Sequence, residues 1–221
     1  MNTSKKTISR FLASAIMLLV LPAIVNADLV TIDFESDALG AQANGFSSVD
    51  APGVTFTDSV GSELFVLSVP EGDGQSLVVG GNLDQSALLI DFGATIDFFE
   101  LAFGNDDPST TNAGDLAMLT LFFGAAEVGQ LSVVLDRDDL MSQVILFGLI
   151  GGATLFDNAI FGFTDSFGNL ATGGGSLANV GSTEVVDNIM FNTVGIAVPE
   201  PSTLALLSLG LGMILLCRMP K

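Results

Sequence analysis

"LLIDFGATIDFFELAF", residues 88–103, is the stretch that decides the fold class. Leu88, Ile90 and Phe92 alternate with their neighbours, and Phe99, Leu101 and Phe103 alternate again a few residues later. A period of two lines one face of an extended strand, whereas a helix would need a period near 3.6. The pattern returns at Leu119-Leu121-Phe123 and at Leu131-Val133-Leu135. Turn-forming clusters separate the runs: Gly72-Asp73-Gly74, Gly80-Gly81-Asn82, Asn105 through Gly114, and Gly173-Gly174-Gly175. About ten short strands and no amphipathic helix are expected, which makes this an all-β chain folded as an antiparallel β-sandwich. Leu140 to Ile150 is too short for a membrane span and contains Gln143, so a buried strand or strand pair is expected there.

Outward from this region, both ends read as addresses. Lys5, Lys6 and Arg10 precede an apolar stretch from Phe11 to Ala23, and Val25-Asn26-Ala27 supplies small residues ahead of Asp28. This is the layout of a secretory signal peptide spanning 1–27, removed before Asp28; an uncleaved anchor is the alternative. At the other end Thr203 to Cys217 carries no charge and is followed by Arg218 and Lys221. As a short transmembrane helix over 203–217 it would rise about 22 Å, less than a hydrocarbon core of about 30 Å. Pro199 and Pro201 stop it from growing upstream, and Arg218 and Lys221 would stay on the cytoplasmic side.

Val198-Pro199-Glu200-Pro201-Ser202, the apolar run and the terminal basic residues resemble the PEP-CTERM sorting signal of Gram-negative bacteria. The resemblance covers residues 198–221. It implies cleavage near Pro-Glu-Pro by an exosortase, and a destination in the cell envelope, at the cell surface or in the extracellular matrix, beside exported polysaccharide.

Between the signals lie residues 28–197, expected to form one domain with a sizeable core. Arg137 is the single base in that span against 24 acids, a formal charge of −23. Such a field disfavours nucleic acid and anionic membranes and favours cations. The chain has no histidine, tyrosine or tryptophan, and its one cysteine, Cys217, lies in the tail. Ser-His-Asp and Cys-His nucleophiles, imidazole metal sites and zinc-thiolate sites are thereby excluded. No glycine-rich phosphate loop opens a helix. A carboxylate pair of the glycosidase kind is the remaining catalytic option, acting on exported polysaccharide; the leading expectation is a protein that is not an enzyme.

"TIDFESDALG" from Thr31 and "VVDNIMF" from Val185 resemble the opening and closing strands of jelly-roll carbohydrate-binding modules. The resemblance implies a jelly-roll-like sandwich whose first and last strands are neighbours. It also implies a structural calcium held by Glu35 and Asp187. The chain departs from that family in having no Trp or Tyr on which a sugar could stack. Its phenylalanines could stack, but most fall on alternating positions and are expected in the core. Asp187 shares parity with Ile189 and Phe191, so a ligand role requires a bulge or strand start there. Asn105-Asp106-Asp107-Pro108 and Asp136-Arg137-Asp138-Asp139 match no EF-hand spacing and read as solvated turns. "FDNAIFGF" at 156–163 and "VDNIMFNT" at 186–193 repeat an Asp-Asn pair, and at Asp157-Asn158 it reads as a turn leading into a strand.

Overall fold

The long apolar stretch at residues 88–103 proves to be one strand rather than two. In the computed structural model, which describes residues 28–61, 63–69, 74–79, 86–105, 113–136, 140–164 and 184–194, it lies within β6 (Leu88–Asn105). The other strands are β1 (Asp28–Ile32), β2 (Gly40–Gln42), β3 (Thr55–Asp58), β4 (Leu64–Val69) and β5 (Gly74–Val79). They continue with β7 (Leu116–Phe123), β8 (Ala126–Val134), β9 (Gln143–Gly148), β10 (Phe156–Thr164) and β11 (Glu184–Thr193). No helix occurs among the described residues, and every ladder between these strands is antiparallel.

β6 belongs to two layers at once. Its first half pairs with β3 and β10, and β10 continues through β7 to β8. Its second half pairs with β9 on one edge and β11 on the other, and β11 leads through β5 and β4 to β2. The corner between the halves is Gly93-Ala94-Thr95, which the ladder to β10 skips, moving from Asn158↔Asp91 to Phe156↔Ile96. Gly93 has φ +61 and donates its N–H to Asp91 Oδ1 at 2.9 Å. A side chain there would meet the Gly53 carbonyl oxygen at 2.7 Å, so only glycine fits the bend. Strands that bend this way carry a sandwich from one sheet into the other.

The core is the space between the layers, filled by alternating inward residues. Phe103 of one layer packs on Phe161 and Phe163 of the other, with centroids 5.3 and 6.2 Å apart. Phe147 meets Phe156 edge-on at 5.7 Å, and Phe92 meets Phe191 at 5.3 Å. Among the described residues the core cluster runs from Ile32 to Phe191, within the compact unit of residues 27–194. Phe122 and Phe123 depart from the expected alternation, because a register shift at Leu121/Phe122 leaves Phe123 47% exposed.

Two expectations need correction. Of the buried strand or strand pair expected at Leu140–Ile150, one strand is present and it is only partly buried. That strand is β9, paired only with β6 among the described residues, and although Ile145 is buried, Val144 and Leu146 are about half exposed. One face of an outer strand meets the core and the other meets solvent. Of the repeated Asp-Asn pairs, the one at Asp157-Asn158 is not a turn ahead of a strand. Both pairs lie inside strands, each at a register shift against β6.

Candidate functional site

β1 and β11 are neighbours, paired from Asp28↔Thr193 to Ile32↔Ile189. The same edge of β11 also holds β5, through Glu184↔Val79 to Val186↔Leu77. Asp187 and Asn188 occupy the gap between the two ladders. On the opposite edge, Asp187 stands across from Ala102 while Met190 stands across from Glu100, so β11 carries one extra residue. Asn188 absorbs it at φ +47, a left-handed conformation that Asn tolerates better than most residues. Its N–H bonds Asp187 Oδ1 at 2.7 Å. The bulge lets Val186, Ile189 and Phe191 all face the core while Asp187, 3% exposed, takes the other face.

Glu35 follows the end of β1 and reaches the start of β5. Phe34 turns the chain at φ +58, an uncommon value for a bulky residue, and buries its ring against Phe56 at 5.6 Å. That reversal directs Glu35 toward β5. Its Oε1 accepts the Gln75 N–H at 2.6 Å and its carbonyl accepts from Gln75 Nε2 at 3.0 Å. The carboxylate lies directly over Gly74, where any Cβ would overlap it. β5 also carries two buried oxygens without a hydrogen-bond partner among the described residues, Gln75 Oε1 and Ser76 Oγ. Continuing the Val186↔Leu77 register by one residue sets Ser76 opposite Asp187. Oxygen donors left unpaired in a buried place suit a hard cation such as calcium. No cluster of three acids, histidines or cysteines occurs among the described residues, so amide, hydroxyl or carbonyl oxygens would have to complete the shell.

A second site, which the sequence reading missed, lies on the outer face of the β3–β6–β10–β7 layer. The registers align Thr55, Asp91, Asn158 and Phe122 in one row across four strands. Thr57, Leu89, Ile160 and Thr120 form the next row. All of these except Thr120, together with the turn at Gly124-Ala125, border an open cleft of about 470 Å³. Asp157 Oδ1 holds this turn by accepting the Gly124 N–H at 2.8 Å, and it also accepts from Asn158 Nδ2. Asp91 is exposed, with Oδ1 engaged by Gly93 and Oδ2 directed to no partner among the described residues. The available signal was the i, i+2 spacing of polar residues opposite core positions, as in Thr55-Phe56-Thr57. A smaller cleft of about 280 Å³ lies at the β9–β10 loop and is lined by Asp97. Both oxygens of Asp97 are used, by the Gly151 N–H at 2.7 Å and Asn192 Nδ2 at 2.6 Å.

Val198 to Ser202, Arg218 and Lys221 lie outside the described residues, as do the stretches expected to form a signal peptide and a tail helix and Asp106, Asp107, Asp138 and Asp139. The tail is assigned by its sequence. Residues 197–219 match the PEP-CTERM protein-sorting motif. That motif marks an exported, membrane-processed protein and implies exosortase handling. No curated protein matches the sequence.

Solved structures resemble the sandwich in fold. An arabinose-bound GH51 α-L-arabinofuranosidase superposes with a TM-score of 0.46 at 12% identity, over 74% of this chain and 26% of its own. This chain therefore spans about a quarter of that enzyme. A family 29 carbohydrate-binding module complexed with cellulohexaose gives 0.36 at 14% identity, over 78% and 95%. The K2 cleaved adhesin domain of Lys-gingipain gives 0.43 at 14%, over 74% and 99%.

Proposed function

We propose that this chain is a non-enzymatic protein of the cell surface or extracellular matrix that holds exported polysaccharide in the β3–β6–β10–β7 cleft. Signal peptidase and exosortase process its two ends, and the C-terminal helix keeps the precursor in the membrane until then. The observation that carries this reading is the cleft itself. Two rows of hydroxyl, amide, carboxylate and apolar side chains run side by side across four strands, with the half-buried Phe122 as a stacking surface. Sugars offer both hydroxyls and apolar ring faces, so a mixed polar and aromatic floor suits them.

Hydrolysis would require two carboxylates about 5–10 Å apart facing one cleft. Among the described residues Asp91 is the one acid lining the larger cleft and Asp97 the one lining the smaller, which favours binding over catalysis. Calcium belongs to this reading as a structural ion, with Glu35 and Asp187 as ligands and Gln75 Oε1 and Ser76 Oγ as supporting oxygens.

The test is affinity electrophoresis of residues 28–197 through gels containing the host's own exopolysaccharide. Wild type should be retarded, and Phe122→Ala and Asn158→Ala should each weaken retardation about tenfold while melting normally. Unchanged mobility in both variants would remove the cleft from the proposal, and release of reducing ends from the polysaccharide would favour the glycosidase reading.

A further inference from the structure

We infer that the cleft selects glycans carrying free amines and rejects polyuronates; this rests on the cleft being a glycan site. Among the described residues the cleft floor holds one formal charge, Asp91, in the middle of the row that runs from Thr55 to Phe122. Oδ1 is tied to the Gly93 N–H, which fixes the carboxylate, while Oδ2 has no partner among the described residues. No lysine or arginine occurs among the described residues, so nothing there neutralises Asp91 or could pair with a sugar carboxylate. Arg137 is the lone base of the exported domain, against its 24 acids. A polyanionic chain entering the cleft would meet an acid on the floor and an acidic field around it.

An ammonium group at C2 of a hexosamine meets the opposite situation. It can donate charge-assisted hydrogen bonds to Asp91, to Asn158 Oδ1 and to the Thr55 hydroxyl. The face of Phe122, across Asn158 in the same row, adds attraction for a cation, which an acetamide or hydroxyl would not feel. The same row thus tells one C2 substituent from another.

Three hexamers of one β-1,4 backbone isolate that substituent: cellohexaose with a hydroxyl, the N-acetylglucosamine hexamer with an acetamide, and the glucosamine hexamer with an ammonium. Titration calorimetry on residues 28–197, at about pH 5.5 where amines are protonated, should give the glucosamine hexamer at least tenfold tighter binding than the other two at low salt. The preference should shrink several-fold by about 0.5 M sodium chloride, where screening is short-ranged. Asp91→Asn retains Oδ1 for the Gly93 N–H and removes the charge, so it should abolish most of the preference without unfolding the domain. Polygalacturonate should not bind in the presence of EDTA. Equal binding of the three hexamers, reduced equally by Phe122→Ala, would leave the glycan cleft standing and overturn amine selection. A preference unchanged in Asp91→Asn would also overturn it, by tracing selection to the overall field. Binding of no hexamer, or binding indifferent to Phe122→Ala, would overturn the cleft reading as well.

Discussion

At Gly93 a single residue permits the sandwich to close. Gly124 has nearly the same dihedral, φ +58 against +61, but a Cβ on Gly124 would meet nothing within 4 Å. Alanine at Gly124 should therefore cost only the left-handed strain of about 1–2 kcal/mol. At Gly93 the same strain is joined by a clash with the Gly53 backbone, and the cost should reach about 2–4 kcal/mol. Urea unfolding of the two variants measures the difference; equal costs would mean that the corner can shift to accept a side chain. Glu35 and Asp187 are argued at the same scale. If they hold calcium, a hundredfold excess over the dissociation constant adds about 2.7 kcal/mol to stability. Millimolar calcium should then raise the melting temperature more than sodium chloride of matched ionic strength. Glu35→Gln and Asp187→Asn should each remove most of that excess, and Asp138→Asn should leave it intact. A calcium shift that survives both substitutions would strike these two residues from the ligand set.

At the scale of elements, β9 and the loop after it depend on Asp97. Gly148, φ +84, brings the loop so close that a Cβ would overlap the Asp97 carbonyl oxygen. The Asp97 carboxylate then ties Gly151 of the loop to Asn192 of β11. Asp97→Ala would leave both donors without their acceptor, at a cost of about 2–4 kcal/mol. The Gly151 amide should lose its hydrogen-exchange protection first, while amides of β10 and β7 keep theirs. Uniform loss across all strands would show instead that Asp97 supports the whole sandwich.

For the whole molecule, processing and charge act together. The PEP-CTERM motif over 197–219 implies a cut near Pro199, and the signal peptide reading implies a cut before Asp28. Intact mass of the protein recovered from the envelope should match a chain lacking residues 1–27 and the apolar tail. A mass that retains Lys221 would contradict tail removal. Five of the six basic residues lie in the two end segments, so these cuts leave the mature domain with Arg137 as its only base. If both cuts occur, the acidic field of the remaining chain is the one that the proposed amine selection would draw on.

Residue spacing alone determined that this chain makes strands: Leu88-Ile90-Phe92 and Phe99-Leu101-Phe103 have a period that only an extended backbone can bury on one side. It also determined the sorting tail, because a linear signal is read in order and needs no fold. The likeness of "TIDFESDALG" and "VVDNIMF" to the ends of a jelly roll anticipated that β1 and β11 are neighbours. Only the tertiary structure decided that the two runs of β6 are one strand bent at Gly93, since periodicity reports faces and carries no record of which strands pair. The bulge at Asn188 and the reversal at Phe34 depend on partners distant in sequence. The cleft row of Thr55, Asp91, Asn158 and Phe122 draws on four separate strands. Their adjacency is set by register, and register comes from packing two layers against each other.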